Sequence, residues 1–115
     1  VKARREAAAA RLRQVRYQLT AQDYAALHVA QGGVCAICRR ATGRTRALSV
    51  DHDHAAEAAG GVRASVRGLL CRPCNDLLGH VRDDPTVLLR AAGYLTDPPA
   101  RRVLTHRTDD PEETP

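Results

Sequence analysis

Phe, Trp and Met are absent from this 115-residue chain, and three Tyr supply all of its aromatic content. Those side chains normally dominate core burial, so a large hydrophobic core is excluded. A small domain this short of bulk usually depends on a staple, either disulfides or a structural metal. No apolar run approaches the length of a membrane helix. The first sixteen residues, rich in Ala and Arg, do not read as a secretory leader, and a soluble chain in a reducing compartment is expected.

Acidic charge is scarce only in the first half. Up to Val50, ten basic residues face two acidic ones; beyond it eight face eleven, for a net charge of +5. A basic half is the electrostatic footprint of a phosphate-backbone binder, although a solvated Ala/Arg-rich helix gives the same count.

The length predicts one domain. Residues 2 to about 17 are strong helix formers, with Leu12, Val15 and Leu19 spaced for a narrow apolar stripe. Thr20 and Asp23 form an imperfect capping box for a second helix, whose apolar face begins at Tyr24 and Leu27 and which Gly32-Gly33 ends. Short strands are expected at Ala47–Val50 and Val66–Leu70, joined by a flexible connection from Ala55 to Ser65. Pro73 opens a helix to about Leu78. Asp84-Pro85 opens a last one, with Leu88, Ala91, Ala92 and Leu95 along one face. Residues 98–115 read as a polar tail without order.

All four cysteines fall in two CxxC pairs, Cys35/Cys38 and Cys71/Cys74. That is the spacing of a tetrahedral thiolate zinc site, and four thiolates close the coordination sphere, so the metal is structural. Paired disulfides fit poorly with a chain lacking secretory features, and a redox CxxC fits poorly with two pairs and no βαβ pattern. Thirty-two residues separate Cys38 from Cys71, well beyond a simple zinc ribbon. The interval contains Val50-Asp51-His52-Asp53-His54, the stretch VDHDH.

On an ideal strand Asp51 and Asp53 face one way and His52 and His54 the other, so the two kinds converge only where the strand ends or bends. Carboxylate and amide oxygens suit a hard dication such as Mg²⁺, and an imidazole beside it suits a general base. Asn75 directly follows Cys74 in the first turn of a helix, where a phosphate is also favoured. Asp51, His52 and Asn75 together suggest a metal-dependent phosphodiester-cleaving site held on the zinc staple.

In order, QGGVCAIC, SVDHDH, VRGLLCRPCN and LLGHVRDDPTVLLRAAGYL resemble the recombination endonuclease VII family of HNH nucleases. The likeness runs from about Tyr17 to Leu95. It implies an α+β fold: a small zinc-stapled ββα-metal (HNH, or His-Me finger) domain over residues 20–97, preceded by a basic helix over 1–19 and followed by the tail. It implies structural zinc at Cys35, Cys38, Cys71 and Cys74, and a catalytic Mg²⁺ or Mn²⁺ at Asp51 and Asn75. His52 takes the part of general base and His54 assists. The implied activity is hydrolysis of DNA phosphodiesters in the cytoplasm of a bacterial or phage-infected cell. DNA is the implied partner and no membrane is involved; a homodimer and phage or host protein partners stay open. Arg67, Arg39, Arg40 and Arg44 are candidate DNA contacts.

Two features depart from the family pattern. The connection from Ala55 to Ser65 is longer than usual, and Leu77 and Leu78 stand where some relatives place an acidic residue, leaving only Asp76. Two other readings compete. One is a zinc-stabilised DNA-binding module without catalysis; the other is a second structural zinc held by Asp51, His52, His54 and His80. His28 reads as a helix-surface residue, His80 as packing or surface, and His106 as part of the tail.

Overall fold

The computed structural model describes residues 1–108. It is a mixed chain of helices and one two-stranded sheet, and it divides into two compact units, Val1–Leu77 and a second that begins at Leu78. No helix among the described residues is long and apolar enough to cross a membrane.

The first unit is built on a hairpin. Strand β1 (Ser49–His52) pairs antiparallel with β2 (Val66–Leu70), Val50 opposite Leu69 and Asp51 opposite Gly68. The register then slips: His52 pairs with Val66, and Arg67 is left over. An extra residue of this kind bends its strand and re-aims the side chains around it. Leu19, Cys35, Leu48, Val50, Leu69, Leu70 and Cys74 are buried in this unit, a core as small as the composition requires.

Helix α1 (Lys2–Tyr17) buries none of its side chains. The expected stripe is not a packed one, because Leu12 and Val15 are exposed and only Leu19 is buried. Gln18 takes a left-handed conformation (φ 59°), which ends the helix and takes Leu19 out of helical register. Helix α2 (Ala21–Ala30) starts with a complete capping box: Thr20 Oγ1 accepts from the Asp23 amide and Asp23 Oδ2 accepts from the Thr20 amide. From it the Tyr24 hydroxyl donates to the Leu48 carbonyl at 2.6 Å.

Gln31, just past α2, serves β2 as an added edge. Its Oε1 accepts from the Leu69 amide at 2.8 Å, while its Nε2 donates to the Leu69 carbonyl and to Val34, both at 2.9 Å. Gly68 leaves room for this, since a Cβ there would meet Gln31 Oε1 at 3.0 Å.

The segment expected as a flexible connection is instead two short helices, α3 (His54–Gly60) and α4 (Val62–Ser65). Asp53 is the reason: its carboxylate accepts from the amides of Ala55 and Ala56, capping a run of good helix formers. Ser65 returns the chain to β2, its carbonyl accepting from Asp53 N at 2.9 Å. Arg63 of α4 donates to Asp23 at 2.6 Å and to the Gln18 carbonyl at 2.7 Å, tying α4 to the turn before α2. Helix α5 (Arg72–His80) follows β2 after Cys71.

In the second unit, Asp84 caps α6 (Pro85–Thr96), accepting from the Thr86 amide, with Pro85 in its first turn. The expected apolar face of α6 is largely open; Leu95 is exposed and Leu88 only half-buried. Residues read as an unordered tail include α7 (Pro99–Thr108), which Pro99 starts and Ala100, Arg101 and Arg102 favour; the rest of that tail lies outside the described residues.

Candidate active site

The two CxxC turns meet. Cys35 and Cys38 lie on a knuckle held by Cys35 N to Ala41 O (2.8 Å), Arg39 N to Cys35 O (3.1 Å) and Ala36 N to Leu69 O (3.2 Å), the last docking it on β2. Cys71 follows the strand and Cys74 lies in the first turn of α5, where Asn75 N donates to Cys71 O at 2.9 Å. All four sulfurs lie within 4.8 Å of one another, and no disulfide joins them. The Cys38 and Cys71 sulfurs are 3.8 Å apart, the edge of about 3.8 Å expected for a tetrahedron with Zn–S near 2.3 Å. Position and donor chemistry therefore fit a structural metal such as zinc.

The thiols also share charge unevenly. Burial opposes ionisation of Cys35, but backbone groups around Cys71, Cys38 and Ile37 outweigh it and lower that thiol to about 6. The Ile37 amide, 3.4 Å from Cys35 Sγ, is one such donor. Cys74 is pushed up to about 12 by burial and then by the sulfurs beside it. Four thiolates in so small a volume need a cation to coexist.

At the end of β1 the side chains of VDHDH part. Asp51, 7% exposed, receives the guanidinium of Arg67 on both oxygens, Nε at 2.6 Å and Nη2 at 3.0 Å. Arg67 is the residue left over by the register slip, so the bulge places it there. Asp53 turns to cap α3. His52 and His54 come together, ring centroids 4.5 Å apart, and His52 also lies 5.3 Å from the Tyr17 ring. Glu57 completes this group, with Oε1 at 3.5 Å from His52 Nε2. One ligand atom from each of His52, His54 and Glu57 lies within 4.8 Å of the others, whereas Asp51 belongs to neither cluster.

A cleft of about 390 Å³ opens elsewhere on the first unit, lined by Arg40, Arg44, Arg46 and Arg72 among small residues, with no acidic side chain on its wall. It joins two of the arginines expected at DNA, Arg40 and Arg44, to two that were not, Arg46 and Arg72. Arg39, in a left-handed conformation (φ 59°), does not line it, and Arg67 is committed to Asp51.

Glu57 and Gln31 were missed by sequence reasoning. Had Asp53 been recognised as a helix cap, the i, i+3 spacing of His54 and Glu57 would have placed them on one face. Gln31 carries no such signal, because its partner is backbone 38 residues away.

The fold and donor set define a mixed domain of helices and a small two-stranded sheet, with four clustered cysteines that could hold a structural metal and a histidine-rich strand end. Residues 10–97 match the recombination endonuclease VII family, and the chain belongs to it. It is 47% identical over 92 residues to the Gene 59 protein of Mycobacterium phage D29, and 45% identical over 92 residues to the Gene 59 protein of Mycobacterium phage L5. Each alignment covers 79% of this chain and 52% of the relative, so the chain spans about half the length of the curated relatives it matches. No solved structure matches it.

Proposed function

We propose that the chain is a divalent-metal-dependent DNA endonuclease of the HNH type, with β1, β2 and α5 forming a ββα-metal site on a structural zinc. The observation that carries this reading is His52 at the end of strand β1, next in the chain to the buried Asp51 and 3.5 Å from the Glu57 carboxylate, in a chain of the endonuclease VII family.

His52 takes a proton from a water, which attacks phosphorus as the bond to the 3′ oxygen breaks. Glu57 beside Nε2 favours a proton on that nitrogen and leaves Nδ1 free to accept one, while His54 packs against the ring and limits its rotation. Asp51 and Asn75 offer hard oxygen donors, and Asp51 already holds a cation, Arg67, on both oxygens. Asp51 and Asn75 would hold a Mg²⁺ or Mn²⁺ ion, which would supply positive charge to the phosphate as negative charge develops there. With an ion bound, Asp51 would share its oxygens between that ion and Arg67, and the guanidinium could then also donate to phosphate. Arg40, Arg44, Arg46 and Arg72 supply the contacts that track the DNA backbone.

The test is cleavage of supercoiled plasmid with Mg²⁺ or Mn²⁺, and with EDTA under conditions that leave the zinc in place. Nicking that requires the added ion and is lost in Asp51→Ala is expected. The arginine cleft by itself also favours a non-catalytic DNA-binding module; that reading requires no cleavage, and DNA binding unaffected by Asp51→Ala.

A further inference from the structure

We propose that His52, His54 and Glu57 form a second metal site, one that takes a nitrogen-preferring transition-metal dication and whose occupation silences the nuclease. The inhibitory half rests on the reading of His52 as general base; the binding half does not. Two imidazoles and one carboxylate are the donor set that zinc and its transition-metal neighbours favour, with coordination positions left for water. The local structure brings exactly one donor from each residue to the same place and withdraws the others. His54 opens α3 and Glu57 follows one turn later on the same face, while His52 ends β1. Asp53, between the histidines, is turned away as the cap, and Asp51 is held by Arg67.

The distances are those of a group that needs little movement to share an ion: 3.5 Å between His52 Nε2 and Glu57 Oε1, and 4.5 Å between the imidazole centroids. His54 and Glu57 are exposed, so an ion reaches them without opening the core, in contrast to Cys35 and Cys74, which are buried. Glu57 comes from the Ala-rich helix α3, which gives that segment a chemical role. An ion on His52 Nε2 displaces the ring proton to Nδ1, so the nitrogen that would accept the water proton is already protonated. Mg²⁺, which prefers oxygen, leaves it free, so the same active site distinguishes an activating ion from an inhibiting one.

Ni²⁺ is the probe, added to the full chain with its thiolate site holding zinc. Equilibrium dialysis with analysis of both metals is expected to give one Ni²⁺ per chain with the zinc retained. His54→Ala and Glu57→Gln should each bind Ni²⁺ about 10-fold more weakly or worse, as even indirect partners of a metal change affinity by that much. His28→Ala, whose ring contacts the Thr42 carbonyl, should bind it like the parent. Failure of the parent to retain Ni²⁺, or equal binding by all three variants, overturns the site. In the parent, plasmid cleavage with Mg²⁺ should fall over the same Ni²⁺ range in which the ion binds; undiminished cleavage at full occupancy overturns the inhibitory role. If the parent cuts no DNA with Mg²⁺ alone, the nuclease reading fails, and dialysis still decides the site.

Discussion

The four thiols and the His52–His54–Glu57 group are each compact enough for one ion, yet their surroundings are opposite. Cys35 and Cys74 are buried, tied into the knuckle, the end of β2 and the start of α5, so the donors and the fold are one construction. His54 and Glu57 lie on the exposed start of the helix that follows β1. Donors buried in the core serve folding, and donors on its rim are free to react.

Breaking the first cluster should have the largest effect. Structural zinc contributes on the order of 10–16 kcal/mol, at least as much as the whole stability of a typical domain. Cys74→Ser, or removal of the metal, should therefore abolish the cooperative unfolding transition followed by circular dichroism. No comparable loss is expected from Glu57→Gln.

Arg67 lies between these extremes. Arg67→Ala leaves the buried Asp51 carboxylate without its guanidinium. Breaking a fully buried pair costs about 3–5 kcal/mol; with the Arg67 side chain 35% exposed, about 2 kcal/mol is expected in a denaturant titration. On the cleft, Arg44→Ala should weaken DNA binding at every sequence and lower the salt slope of log K by about 1.

The smallest effect is a matter of pH. The Arg63 guanidinium, and then the Thr20 amide, hold the Asp23 carboxyl well below the usual carboxylate range. A depressed folded-state pKa contributes stability above the unfolded value of about 3.9 and loses it as pH falls toward the folded one. Arg63→Ala should therefore melt below the parent at neutral pH, with the gap closing as the pH drops below about 4.

Much of this was legible in the residues. The CxxC spacing pointed to the cysteine cluster, Val66–Leu70 is the second strand as read, and Thr20 and Asp84 mark the helix starts they were expected to mark. The first strand was placed two residues early, because Asp51 and His52 do not look like strand residues until Gly68 and Val66 pair with them. The stretch from Ala55 to Ser65 was misread because its two glycines drew attention from Asp53, whose capping makes the alanines helical. The pairing of Asp51 with Arg67 was not foreseeable, since it depends on a one-residue bulge that no local pattern announces.

The central claim is that DNA cleavage resides in the rim group while the fold resides in the thiols. It is tested most directly by His52→Ala, prepared with one zinc per chain and compared with the parent on supercoiled plasmid in Mg²⁺. Loss of a positioned general base should reduce cleavage by about 10²–10⁴-fold, with zinc content and the unfolding transition retained. Cleavage equal to the parent's in that zinc-loaded, folded variant would contradict the account.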